Sequence, residues 1–523
     1  MKKSETNFQP NNMQEIMNLI SEANGMCAGW IDDSSKEKII IDPIENTPIE
    51  GHYADTHYAA GLVILGKNQK NNKLLRQGEN LIESVLHNWD KRIQKDDFHH
   101  DFNSFALCLA EEHLRDTNLD LCKKIRKNIL KTSDSNHDTV NWLPLRAYVN
   151  LSRFEWTKNQ KFNSKANKIF HKIKKAMNED GSIEDRLPKG ISYNLQYNIA
   201  TVAALALLGQ RWKDKKIDLD KNLNYLLNKI LPDNDINYQG RGTNQIFAWG
   251  PWCFLLSFYS KENYLFSALE FLKNSYREAG LNKNIFLNDF HGDEKLFWWD
   301  YHYCSVYHSH FFLWMVLALN FNKAEITIDQ NGSFLASDLK MNKTKIGGHV
   351  GFTGRSHYIS EFGPTICALW LDNVGIIYKG SIGPWGEFGK KYSYPDLNLS
   401  SHFGLISQPK KSESNYGKLC RKIFPLLRSS EVASISPFFT NYSVQDLDNT
   451  LCLKFKKSNF VGFLNIPIFH SISEKLDFKV FVDNVPAKIV LTSKIKNQYG
   501  WLNLYRSRIL KGSEWKLLIS EKK

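Results

Sequence analysis

Twelve stretches of helical period fill the first 321 residues, and they constrain the fold more than any other feature of this chain. They run over Met13–Ala23, Tyr53–Leu65, Leu74–Trp89, Asn103–Leu114, Leu119–Leu130, Val140–Leu151, Ser164–Met177, Ser192–Leu208, Leu219–Ile230, Asn244–Ser260, Glu262–Glu278 and Tyr303–Leu319. Apolar stretches alternate with charged amphipathic ones, as in NIATVAALALLG followed by DKNLNYLLNKIL. A helix apolar all round must be buried, and one with a single apolar stripe lays its other face in water. Six such hairpins predict an (α/α)6 toroid, with inner helices ringing a cavity and outer helices facing solvent. A plain helical array is the alternative.

After Asn322 the period changes. AEITID, VGIIYKG, LCLKFK, FVGFLNI, FKVFVD, KIVLTS and WLNLYRS are short, alternating or β-branched, between turns rich in Gly, Asn, Asp and Ser. They read as antiparallel strands of a β-sandwich. The expected organisation is α+β and multidomain, with the toroid over 1–321 and the sandwich over 322–523. Glycines and aromatics crowd GGHVGFTGRSHYISEFGP and GSIGPWGEFG, which suggests bulges or loops that approach the toroid.

With 523 residues, 42% of them hydrophobic and 24% charged, the chain has the composition of a globular protein of more than one domain. The net charge of +13 favours an anionic partner. There is no helix-turn-helix or zinc-finger spacing, so nucleic acid is not expected, and an acidic polysaccharide or oligosaccharide fits the charge. Eight scattered cysteines form no CxxC and sit in apolar runs such as FALCLA, as buried thiols of a reducing compartment do. MKKSETNFQPNN has no apolar segment after its lysines, and no apolar run reaches spanning length. A cytoplasmic location without a membrane span is the expectation.

The chemistry gathers where apolar helices begin. GHYADTHYAAG, FHHDFNSFAL, HDTVNWLPLR, GISYNLQYN, GRGTNQIFAWGPW and WWDYHYCSVYHSHFF each mix His, Asn, Asp, Arg, Tyr or Trp before an apolar run. If the inner helices point the same way round a ring, these starts meet at one mouth. The stretch Asp180–Trp212 is the clearest of them. It opens on a turn, passes a polar loop with Pro188 and Gly190, and offers Ser192 as an N-cap. Tyr193 and Tyr197 are spaced for one helix face, with Asn194 and Asn198 beside them, and 199–208 is apolar enough to be buried. A polar pocket wall is one reading of this stretch; tyrosines packed with wet hydroxyls is the other.

DGSIEDRLPKGISYNLQYN resembles the helix start that bears the catalytic tyrosine in heparinase II/III-like and alginate-lyase-like polysaccharide lyases. The resemblance implies a toroid, a sandwich and β-elimination of a uronate polymer, with Tyr197 the first candidate tyrosine and Tyr193 the next. Asn141 stands where such lyases present an Asn-His pair, although Trp142 follows it here. The family's sandwich histidine has candidates in His349, His357 and His402, but its His-x-Asp pattern is missing. In such a reaction Asn141, Arg241 and Asn244 would neutralise the uronate carboxylate, while Tyr197 and His302 or a sandwich histidine move the protons. Gln245, Trp249, Trp252, Trp299, His349, Arg355 and His357 are the candidate substrate contacts. HHD at 99–101 and HGDE at 291–294 lack the helical ligand spacing of HExxH, and there is no P-loop, no dinucleotide GxGxxG after a strand and no GxSxG elbow, so no metal or other cofactor is expected. Two other functions fit the same fold. A glycoside hydrolase would use Glu184, Asp185, Asp55 and Asp101. A non-catalytic carbohydrate-binding protein would present Trp249, Trp252, Trp298 and Trp299 as platforms.

Overall fold

The computed structural model describes residues 9–32, 38–43, 46–49, 51–92, 99–185, 194–212, 217–239, 244–280, 304–320, 339–352, 366–380, 397–398, 403–406, 432–435, 442–447, 449–455, 462–497, 499–509 and 514–522. Its helices are α1 (Gln9–Gly29), α2 (Ala54–Asn68), α3 (Asn72–His87), α4 (Trp89–Arg92), α5 (His100–Leu114), α6 (Leu119–Lys131), α7 (Leu143–Thr157), α8 (Gln160–Ala176), α9 (Leu195–Arg211), α10 (Asp220–Leu227), α11 (Trp249–Phe258), α12 (Glu262–Gly280) and α13 (Cys304–Asn320). A helix lies in each of the twelve stretches read from the sequence, although in Asn244–Ser260 it begins only at the 3-10 turn Ile246–Ala248 and Ser192, Tyr193 and Tyr303 lie outside the described residues; α4 is one extra turn.

The helices form two layers. In the inner layer α2 packs on α5, α5 on α7, α7 on α9, α9 on α11, α11 on α13, and α13 returns to α2, which closes a ring. Outside it α3, α6, α8, α10 and α12 each pack on the inner helix before them, and α1 covers α13. Burial follows the sequence pattern. Residues 54–66 of α2 are all buried, whereas α3 buries only Gly78, Leu81, Ile82 and Val85. Side-chain caps set where outer helices start: Asn71, Asn118 and Asn159 accept from backbone N–H groups of α3, α6 and α8. The ring closes on glycine. A Cβ on Gly61 of α2 would lie 2.5 Å from the Phe312 ring, and one on Gly250 of α11 would lie 2.9 Å from the Phe311 carbonyl.

The chain from Leu339 onward is built of sheets. Leu339–Lys343, Gly347–Phe352, Ile366–Leu371 and Gly375–Lys379 form an antiparallel meander. Every residue of Ile366–Leu371 is buried, on both faces of that strand, which is why ICALWL is apolar throughout. Cys367, Ala368 and Trp370 join the core of the helical ring. Ile366, Leu369 and Leu371 join a second core shared with two further sheets. One of these orders Tyr442–Leu447, Thr450–Phe455, Trp515–Glu521, Leu476–Val482 and Val485–Ala487. The other orders Ile489–Asn497, Gly500–Ile509, Gly462–Phe469 and Leu397–Asn398. Pairing is antiparallel except that Leu397–Asn398 lies parallel to Gly462–Phe469, a short departure from the expected all-antiparallel pattern. The glycine-rich strand behaves as its composition suggests. Its register shifts between Val350 and Gly351, and a Cβ on Gly348 would strike the Trp370 ring at 2.2 Å. Among the described residues no helix is long and apolar enough to cross a membrane.

Candidate functional site

The inner helices run the same way round the ring, so their N-terminal ends meet, and a continuous set of rings marks the place. Tyr53, just before α2, stacks on Phe102 of α5 at 4.4 Å and lies 4.6 Å from His57. His57 of α2 and His310 of α13 have ring centroids 5.3 Å apart. His310 lies flat on Phe247 at 4.1 Å, and Phe247 meets Tyr197 of α9 edge-on at 6.5 Å. On the other side His52 stacks on His99 at 4.0 Å, and His99 lies 5.9 Å from Trp142, the residue after Asn141. All six helix starts singled out in the sequence contribute to this mouth.

Many of the polar residues at these starts stitch one helix to the next. Thr56 Oγ1 donates to Asn103 Oδ1 at 2.8 Å, joining α2 to α5. Arg146 of α7 donates through Nε and Nη2 to Asp101 of α5, both side chains being buried. Asp55 Oδ1 accepts from Ile40 N at 2.7 Å, and Asp42 Oδ2 accepts from Ser305 N and Oγ at the start of α13. Asn198 clamps the loop before α9: its Oδ1 accepts from Ile183 N and its Nδ2 donates to Ile183 O. That loop then receives Val140 N on the Asp185 carbonyl, beside Asn141. Its turn is seated by Gly181, whose φ of 90° suits glycine and whose added Cβ would lie 2.1 Å from Lys221 O.

Other groups at the mouth keep their hydrogen-bonding capacity. His57 and His310 are 0% and 3% exposed, and among the described residues neither ring makes a hydrogen bond of normal geometry. The side-chain oxygen of Asn141, 5% exposed, is in the same condition. Burial pushes the His57 imidazole down to about 3, against an opposing pull from the Tyr53 carbonyl. Burial, reinforced by His57, holds His310 far below its ordinary value. Both are therefore neutral bases at physiological pH. Burial also raises the Tyr53 phenol, with the Tyr197 phenol adding to the shift.

The structure sorts the sequence candidates. Tyr197 and Asn141 belong to the mouth. Asn244 and Gln245 lead into the 3-10 turn Ile246–Ala248, which carries Phe247. Both are 2% exposed; Asn244 N donates to Asn237 O, and Asn237 Nδ2 donates to Gln245 O. Trp249 and Trp252 are 0% and 1% exposed, and Trp249 stacks on Phe271 at 4.5 Å. They are core side chains and offer no open face to a sugar, which corrects the platform expectation. His349 lies in the first sheet, its Nε2 3.2 Å from Asn342 Nδ2, and burial lowers it to about 4. The cap of α9 is Asn194, which accepts from Gln196 N, and not Ser192. Tyr193, Arg241, His302, Trp298, Trp299, Arg355, His357 and His402 lie outside the described residues. Sequence reasoning missed Tyr53, His57 and His310 as individual residues, although GHYADTHYAAG and YHSHFF had marked their segments.

No family model matches the chain, and no curated protein matches it. Solved structures with helical folds do. An inactivated alpha-1,6-mannanase of Salegentibacter sp. HEL1_6 is 12% identical with a TM-score of 0.44, over 58% of this chain and 99% of that one. A polysaccharide lyase is 10% identical with a TM-score of 0.41, over 59% and 96%. A glycosyl hydrolase family 88 protein from Bacteroides vulgatus is 11% identical with a TM-score of 0.40, over 59% and 98%. Likenesses this distant carry no argument about the site or its chemistry.

Proposed function

We propose that the chain is a polysaccharide lyase that cleaves a uronate-containing acidic polymer by β-elimination, on an (α/α)6 toroid over 1–321 with a β-sandwich over 322–523. The observation that carries this reading is the composition of the mouth. Tyr53 stands beside the neutral imidazoles of His57 and His310, whose nitrogens are unused among the described residues, Phe247 links His310 to Tyr197, and Asp55 and Asp101 are committed to structural bonds. A uronate C5 proton is weakly acidic because a carboxylate is its neighbour. The Asn141 amide takes that carboxylate, with Arg241 and Asn244 as further partners from the sequence, and lowers the cost of the enolate-like intermediate. A mouth base, Tyr197 as phenolate or a neutral histidine, removes the C5 proton. The C5–H electron pair becomes the C4–C5 double bond, the C4–O4 bond breaks, and O4 leaves with a proton from the acid partner. The chain's net charge of +13 suits an acidic polymer.

The hydrolase reading keeps a narrower footing. Of its four carboxylates, Glu184 and Asp185 lie in the loop beside Asn141, where Glu184 accepts from Asn178 Nδ2 at 3.3 Å and Asp185 is 5% exposed. A panel of uronate polymers, followed by ultraviolet absorbance and reducing ends together, separates the two. The lyase gives both signals. Reducing ends without absorbance, abolished in Glu184→Gln or Asp185→Asn, would establish hydrolysis instead.

A further inference from the structure

We propose that Lys379, which the first sheet carries, is a positioning residue for the helix starts that hold Tyr197 and Phe247; this rests on the mouth being the working site. Lys379 ends the strand Gly375–Lys379 with its side chain 9% exposed. Its Nζ lies 2.7 Å from Asp233 Oδ2 and 2.7 Å from Asp235 Oδ2, and 4.4 Å from the centre of the Tyr499 ring. Burial works against its charge, and the two carboxylates outweigh burial and hold its pKa above the usual value.

The loop it grips reaches the mouth in two bonds. Asp235 Oδ1 accepts from Asn237 N at 2.8 Å. Asn237 Nδ2 donates to Gln196 Oε1, next to Tyr197 in the first turn of α9, and to Gln245 O, before the 3-10 turn of Phe247. The Asn237 carbonyl accepts from Asn244 N and from the Tyr499 hydroxyl, the latter at 2.8 Å. A second strut joins the same two bodies, Lys229 Nζ donating to Leu339 O at 3.0 Å. A cavity of about 380 Å³ borders the junction, lined by Asp233, Asn244, Glu270, Lys379 and Tyr499. Without Lys379, Asp235 at 1% exposure keeps no counter-ion among the described residues, and the loop must move to hydrate it.

The test is amide hydrogen exchange on the full chain, read over 195–199 and 244–248 in Lys379→Met, Lys379→Arg and Tyr499→Phe. Lys379→Met should speed exchange in both segments on the order of 10-fold, leaving α6 and α8 unchanged, and Lys379→Arg should restore most of the protection. On a polymer that the wild type cleaves, kcat should fall in Lys379→Met with KM little altered. Unchanged protection at both segments, or an equal rise in α6 and α8, would overturn the proposal. If Lys379→Met does not fold, Tyr499→Phe decides: it removes one hydroxyl from the Asn237 carbonyl and should give the same pattern at smaller size, and unchanged protection there overturns the idea. Exchange is read without substrate, so a failed lyase assay counts against the proposed activity and not against this coupling.

Discussion

At the C-terminal ends of the inner helices charges are matched, and at the N-terminal ends polar groups are left open. Glu111 of α5 is 0% exposed, and its carboxylate accepts from Arg115, Arg126 and Trp156. Arg115 reaches on to Glu155 at 2.6 Å, and Arg211 at the end of α9 pairs with Glu112 and Glu155. This network joins α5, α7 and α9 with its charges satisfied. The other end holds imidazoles, phenols and amides, and among the described residues His57 and His310 make no hydrogen bond of normal geometry. A buried polar group without a partner costs about 1–3 kcal/mol. One end of the ring stabilises; the other carries a cost that a bound ligand can relieve.

That contrast should appear first in stability. Glu111→Ala takes the Glu111 carboxylate from Arg126 and the Trp156 indole while Arg115 keeps Glu155, and should lower unfolding free energy by roughly 2 kcal/mol in a denaturant titration, without changing turnover per folded molecule. A loss below about 1 kcal/mol would mean the far end is not the stabilising one.

Next comes pH. In the unfolded chain an imidazole binds its proton near 6.5, whereas folded His57 does so near 3 and His308 near 4. Between those values the unfolded state binds more protons. Stability from these groups is therefore full above about pH 6.5 and falls as pH falls toward 4, by about 1.4 kcal/mol per pH unit for each imidazole. Unfolding free energies measured from pH 7 to 4.5 should show that slope, and His57→Asn should reduce it. A flat profile would contradict the buried, neutral histidines.

A smaller effect of opposite sign sharpens the comparison. His310 sits among Phe247, Tyr53, Phe102 and Trp314, so a phenyl ring fits its place. His310→Phe should raise stability by about 1 kcal/mol, because two unsatisfied nitrogens disappear, and should lower activity. A destabilised variant with full activity would show that His310 has a structural partner at work.

Much of this was legible in the sequence. Hydrophobic period located the helices because inner and outer helices bury different fractions of their surface. Polar helix starts pointed to the mouth because helices of one direction in a ring must bring them together. The individual residues were harder to read. α2 and α13 are buried on every side, so periodicity says nothing about which histidine faces the centre. Trp249 and Trp252 looked like platforms because composition does not distinguish an indole that fills a core from one that lines a cleft. The cap moved from Ser192 to Asn194 because both residue types cap helices well and only the fold around Gln239 and Gln196 chooses between them.

The central claim is that chemistry resides at the N-terminal mouth and passes through the Tyr197 hydroxyl. Its most direct test is the rate of unsaturated-product absorbance in Tyr197→Phe, at saturating polymer and per folded molecule, beside Glu111→Gln as the far-end control. The account predicts a fall on the order of 10²-fold or more in Tyr197→Phe, with the fold and polymer binding retained, and wild-type turnover in the control. Wild-type absorbance rates in Tyr197→Phe would contradict it.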